Sequence, residues 1–313
     1  MTMAAPRNWA IWLRATLLAA TAAAGPVWAG DANSQGPSGP APVVQYGKGR
    51  LLCLLANKAI TESSGVAAGR RTAGVFWTHN DSGDKPSLYA FDLRGRDLGT
   101  WQIQGAAGRD WEDMASFSLG GKCWLLVADT GDNDQKCKTP MLHVIPEPRV
   151  DPNRPVAGGQ VGAAMTIAFF YDDGCQDCEA VGVDATSRTI LLISKRGKRI
   201  VYELPLPEKT PARPLTAKSI ATLDLGMVVA MDISPDGLRA IVATYGNLTE
   251  YARGPGESWA IAFGRPGRTI TAPGRTQGES VCFGLDGKTL YLTSEGSPCP
   301  LLTVPVKPND GTR

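Results

Sequence analysis

A glutamate set just before a short apolar run recurs down this chain, and it constrains the fold more than any other feature. It appears as Glu62-Ser63-Ser64-Gly65-Val66, Trp111-Glu112-Asp113-Met114-Ala115, Cys178-Glu179-Ala180-Val181-Gly182 and Gly278-Glu279-Ser280-Val281-Cys282. Each run leads through a turn into a second apolar run. The rest of the chain reads as short strands rich in Val, Ile, Leu, Tyr and Trp, broken by Gly, Asp and Pro. No sustained helical periodicity competes with them.

Taken in order, the strands group into units. After Glu62 come residues 74–77, 88–91 and 99–103; after Glu112 come 124–127, 142–145 and 165–170; after Glu179 come 190–193, 201–204 and 220–223. A fourth unit runs through 231–233, 240–243, 259–262 and 268–270. A fifth has 281–283, 289–292 and 301–304 and lacks its last strand, while the run at 51–55 is left over at the front. Closure by the N-terminal strand resolves both, because a closed ring leaves no exposed sheet edge. Periods of about 50 residues are those of propeller blades, and Ser234-Pro235-Asp236-Gly237 and Leu285-Asp286-Gly287-Lys288 are hairpin signals at matching places. The expectation is an all-β, five-bladed β-propeller over residues 46–307 as a single domain, with six blades as the alternative if the long second unit merges strands.

The first 29 residues read as a signal peptide: Arg7 and Arg14, an apolar run over 15–24, then Val27-Trp28-Ala29 with small residues at the cleavage positions. Residues 30–45 form a Gly/Pro/Ser-rich flexible leader and 308–313 a tail. The expected location is periplasmic or secreted, with no membrane span after signal removal. Export permits disulfides among the seven cysteines, and the odd number leaves at least one unpaired. Cys137 with Cys175 or Cys178 is the expected bond. Cys282 lies in an apolar strand as a small buried residue. A net charge of +2 gives no electrostatic case for nucleic acid as a partner.

In antiparallel blades the start of the first strand and the end of the second lie at one face. That rule gathers Glu62, Glu112, Glu179 and Glu279 around one mouth as candidate metal ligands. His79, Asn80 and Asp81 join them from the first unit, Asp129 and Asp132 from the second, Lys195 and Arg196 from the third, Tyr245 from the fourth and Glu295 from the fifth. The fourth unit breaks the pattern, with Val229 in the glutamate column and Asp232 three residues later. Several like charges around one mouth need a cation, a proton or basic neighbours. Ca²⁺, with its oxygen ligands, suits such a mouth. Two other readings remain open: glutamates capping backbone N–H groups, and acid–base catalysis by His79, Asp81 and Glu112. Residues 129–134 resemble the start of a calcium loop, but Pro140 stands where an EF-hand needs its glutamate. His143 lies within a strand and reads as structural.

Glu62-Ser63-Ser64-Gly65, His79-Asn80-Asp81-Ser82-Gly83-Asp84, Asp110-Trp111-Glu112-Asp113, Gly131-Asp132-Asn133, Cys178-Glu179-Ala180 and Ser234-Pro235-Asp236-Gly237 together resemble a family of exported bacterial β-propeller proteins. That resemblance implies a propeller and brings no activity with it. The acid-lined mouth is similar in arrangement to calcium-holding propellers such as apyrases and propeller phytases. The expected function is therefore an exported propeller whose acidic, Ca²⁺-binding mouth takes a small polar or anionic ligand. The alternative is a metal-dependent hydrolase of a phosphoester, lactone or glycoside, with Lys195 and Arg196 holding the substrate anion.

Overall fold

The computed structural model of the chain describes residues 43–308 except 82, 107 and 135. The signal segment, almost all of the leader, the tail beyond 308 and Ser82 lie outside the described residues. Within them the architecture is all-β with one short helix.

The strand β1 (Arg50–Leu54) stands apart at first. A first antiparallel run follows, β2 (Ser63–Ala68), β3 (Val75–Asn80), β4 (Ser87–Asp92) and β5 (Asp97–Gln104). A second is built of β6 (Trp111–Leu119), β7 (Lys122–Asp129) and β8 (Met141–Pro146). The chain then crosses back as β9 (Gly158–Gly162), parallel to β5, before β10 (Met165–Tyr171) completes the second run. The third is β11 (Cys178–Asp184), β12 (Thr189–Ser194), β13 (Arg199–Pro205) and β14 (Leu215–Leu223); parallel pairing of β10 with β14 joins it to the second in an eight-stranded sheet. The fourth is β15 (Val228–Ile233), β16 (Arg239–Thr244), β17 (Leu248–Ala252) and, after the helix α1 (Trp259–Phe263), β18 (Arg268–Ile270). The last is β19 (Cys282–Phe283), β20 (Leu290–Thr293) and β21 (Pro300–Val304), and β1 pairs antiparallel with β21 as its fourth strand.

One expectation fails here, and one strand appears that no local pattern announces. Residues 259–262 form a helix, and β17 supplies the strand expected there. The Ser258 side chain accepts the Ile261 N–H as an N-cap, a stop signal for extended chain, and the Trp259 indole N–H donates to the buried Asp184 carboxylate. The glycine-rich β9 has little strand propensity of its own and exists because β5 offers it an edge.

The first strands of the runs touch in cyclic order, β2 to β6, β6 to β11, β11 to β15, β15 to β19 and β19 back to β2. They are buried except at the end of β6, where Ser118 is exposed and Leu119 half-buried, and the large apolar clusters lie between adjacent runs. Two buried carboxylates pin this inner ring. Asp113 Oδ2 accepts the Val181 N–H at 2.8 Å and the Met231 N–H at 3.1 Å, tying β6 to β11 and β15. Asp232 Oδ2 accepts the Phe283 N–H at 2.8 Å, tying β15 to β19. Burial pushes the Asp232 carboxyl up to about 6 and the Asp113 carboxyl well above its usual range.

Candidate functional site

A one-residue bulge sits at the same place in four of the inner strands. The register slips between Ser63 and Gly65, Trp111 and Asp113, Cys178 and Ala180, and Val228 and Ala230. The skipped residues are Ser64, Glu112, Glu179 and Val229. A bulge frees a residue from the ladder and re-aims its side chain, which is why bulges collect beside functional sites. Matching the Asp-Gly turns adds Glu279 to this column. Two residues earlier lies a second column, Glu62, Asp110, Asp177, Met227 and Gln277. In four of the five runs its backbone carbonyl accepts an N–H from the chain leaving the second strand: Asp81 on Glu62, Gly131 on Asp110, Lys195 on Asp177 and Glu295 on Gln277.

The mouth therefore has two tiers, and the sequence reading merged them. Glu62 is exposed and belongs to the outer tier, while its partner in the inner tier is Ser64, whose hydroxyl donates to the Glu112 carbonyl oxygen at 2.7 Å. Glu62, Glu112, Glu179 and Glu279 do not form one group. Among the described residues, carboxylates that bring oxygens within 4.8 Å of one another are Glu112 with Asp177 and Glu179, Asp81 with Asp110 and Glu112, and Asp81 with Glu279 and Glu295. Glu112 and Asp81 each belong to two groups, so the acids form a linked arc. The fourth run contributes only Met227 and Val229 to the tiers.

Electrostatics along the arc are uneven. Glu112 is 2% exposed, and its Oε1 is buried without a hydrogen-bond partner. Gly131 packs so closely that a Cβ there would lie 2.0 Å from that oxygen. Burial first, then the charges of Glu179, Asp81 and Asp110, push the Glu112 carboxyl well above the usual range. Glu179 Oε1 accepts from Lys195 Nζ at 2.5 Å, yet burial still carries its carboxyl to about 7 against that cation. On Lys195 the balance reverses: burial disfavours the ammonium, but contact with Glu179 outweighs burial and raises its pKa. At the far end Glu279 Oε1 accepts from the Tyr245 hydroxyl at 2.9 Å and from Gln277 Nε2 at 3.1 Å. Gln277 Nε2 also donates to Glu295 Oε1 at 2.7 Å. Burial and the neighbouring Glu279 hold the Glu295 carboxyl at about 7, and burial with Glu279 lifts the Tyr245 phenol to about 12.

The other expected residues are tied into the structure around the arc. His79 is 0% exposed: its Nδ1 lies 2.9 Å from the Asn80 carbonyl oxygen, its ring meets Trp111 edge-on, and burial lowers its pKa to about 4. In this arrangement it is closed off from the mouth. Asn80 spends its amide on the loop, accepting from the Thr61 and Glu62 N–H groups and donating to Ala59 O and Asp84 Oδ2. Asp129, 2% exposed, accepts from the Asp110 N–H and Arg109 Nε and faces His143, 3.8 Å away. Asp132 closes its own loop by accepting from the N–H groups of Lys136 and Cys137. Arg196 is exposed, donates to Asn133 Oδ1 at 2.7 Å and stands 3.7 Å from Asp177 Oδ2.

Asp110 and Asp177 are the arc members not singled out as ligands from sequence. The signal was present as Asp110-Trp111-Glu112 and Asp177-Cys178-Glu179, two Asp-x-Glu triplets at the starts of neighbouring inner strands. The disulfide joins Cys137 to Cys175, and Cys178 is a buried free thiol beside it.

No family model matches the chain, and no curated protein does. Solved structures with some similarity include a gluconolactonase from Xanthomonas campestris, with TM-score 0.44 and 10% identity over 74% of this chain and 69% of that one. Another is a candidate 6-phosphogluconolactonase from Bacteroides uniformis, with TM-score 0.40 and 15% identity over 82% and 71%. Scores and identities this low carry no argument about chemistry.

Proposed function

We propose that the chain is an exported five-bladed propeller whose mouth holds a hard divalent cation of the calcium type, beside which a small polar or anionic ligand binds. The observation that carries this is Glu112 Oε1, a carboxylate oxygen buried without a partner and grouped with Asp177 and Glu179. A buried acceptor left unmade costs roughly 1–3 kcal/mol, more when charged, and a cation meets it. The three groups contain carboxylates alone, with neither His nor Cys, which favours Ca²⁺ or Mg²⁺ over zinc or copper. Asp177 Oδ2, likewise buried without a hydrogen bond, is a second open ligand atom. The ligands are then Glu112, Asp177 and Glu179 rather than the four glutamates of one ring. Lys195 and Arg196 stand at the rim, and Tyr245 approaches the Lys195 ammonium at 6.0 Å. The five antiparallel runs and the cyclic contacts of their first strands support the blade count, closed by β1 on β21. The disulfide supports an oxidising compartment.

Hydrolysis has its own supporting observation: Glu112 and Glu179 are neighbouring carboxyls, both raised by burial, Glu179 to about 7 and Glu112 well above the usual range. A screen of phosphoester, lactone and glycoside substrates on wild type and Glu112→Gln separates the two. Activity lost in the variant establishes the hydrolase, and activity retained excludes Glu112 as its source. Thermal melting with Ca²⁺ and with chelator tests the cation directly. At a hundred times Kd, binding adds about 2.7 kcal/mol; equal melting temperatures would sink the reading.

A further inference from the structure

Asp177 owes its place in the arc to a loop of the preceding run. The Asp132 N–H donates to Asp177 Oδ1 at 3.0 Å, Oδ2 is left without a hydrogen bond, and the carboxylate brings an oxygen within 4.8 Å of oxygens of Glu112 and Glu179. Asp132 is itself clamped: its carboxylate accepts the Lys136 N–H at 2.9 Å and the Cys137 N–H at 2.8 Å. Cys137, held at φ 56°, is bonded to Cys175, two residues before Asp177. That left-handed backbone is unfavourable for a residue with a Cβ and persists only where its surroundings impose it. On the other side of Asp177 the Thr130 hydroxyl donates to the Cys178 carbonyl oxygen at 2.7 Å. The loop thus grips Asp177 from both chain directions. A cavity of about 370 Å³ lies over this junction, bordered by Asn133, Gln176 and Arg196. The equivalent outer-tier acid, Asp110, is held by Lys138 Nζ at 3.1 Å.

We infer that the Cys137–Cys175 disulfide and Asp132 are positioning elements of the cation centre, acting through Asp177. The disulfide holds Cys137, the Cys137 and Lys136 N–H groups hold Asp132, and the Asp132 N–H orients the Asp177 carboxylate as a ligand. This rests on the cation reading above. Outer groups that orient metal ligands commonly change affinity by about 10–100-fold when removed. Opening the disulfide therefore makes the site a weaker cation binder without touching a ligand.

Calorimetric titration of the purified full chain with Ca²⁺ tests this through a double-mutant cycle. The expected result is that C137S/C175S weakens Ca²⁺ binding about tenfold, that Asp177→Asn weakens it at least as much, and that the triple variant binds no more weakly than Asp177→Asn. Mere loosening of the fold would instead make the losses additive, and additive losses overturn the inference. Unchanged affinity in C137S/C175S overturns it while leaving the cation centre standing. Absence of Ca²⁺ binding in wild type removes both. Should the serine variant fail to fold, Asp132→Ala with the disulfide intact carries the same cycle: a tenfold loss absent in the Asp177→Asn background supports the inference, and full affinity or an additive loss overturns it.

Discussion

At the scale of single residues, the mouth is governed by carboxyls held in the wrong charge state by burial. Glu179 and Glu295 are raised to about 7, above their unfolded value, so the folded state binds protons that the unfolded chain releases. Their contribution is intact below pH 4 or so and is lost as pH climbs through about 7. Metal-free protein is therefore expected to melt at progressively lower temperature between pH 5 and pH 8, and saturating Ca²⁺ to flatten that slope; parallel slopes with and without the ion would contradict it. Glu112→Gln removes a buried carboxyl whose ionised form burial disfavours, so its metal-free form is expected to melt no lower than wild type at pH 8 and to lose the Ca²⁺-dependent rise. His79 works in the opposite sense. Its folded pKa is lowered to about 4 by burial, so stability is lost as pH falls below about 6.5 and the loss saturates near 4. The span corresponds to about 3 kcal/mol. Urea unfolding of wild type and His79→Gln at pH 7 and pH 4 checks this, with a shallower acid loss expected in the variant.

Among elements, the bulged inner strand is the unit that makes the site. In a regular strand, residues two apart share a face, and Glu112 would follow Asp110 as one flat row. The bulge bends the strand and increases its twist, and the carboxylates of two neighbouring runs converge. A bulge leaves no compositional mark, which is why motif alone places Glu62 in the inner column with the other glutamates. The Asp-x-Glu triplets and the break at Val229 were legible, because they depend on spacing alone. The α1 helix shows the reverse case. Its residues read as a strand by apolar content, but Ser258 and the Asp184 node decide otherwise. Asp184 is fully buried and takes hydrogen bonds from Trp259 Nε1, Thr186, Ser187 and the Arg253 guanidinium. Arg253→Ala strands that charge and is expected to cost about 3–5 kcal/mol in urea unfolding.

Over the whole molecule, the inner strands form a ring that is pinned where their backbones cannot pair with each other. Asp113 alone satisfies N–H groups from two other runs. Edges are handled separately: β9 covers β5, β10 and β14 cover each other, and β1 completes the last run. Removing the chain up to Leu54 exposes β21, and the expected outcome is loss of the cooperative melt together with aggregation. A truncated chain that melts like wild type would show that β1 is dispensable.

By itself the sequence determined most of the strands, the turns, the need for ring closure and the collection of acids at one face, since these follow from period, turn chemistry and the direction of antiparallel chains. Only the tertiary structure decided which acids meet. The two-tier mouth depends on a bulge, the burial of His79 on the approach of Trp111, and the reach of Asp177 on a loop from another run. These are distances between segments far apart in the chain, and no local pattern carries them.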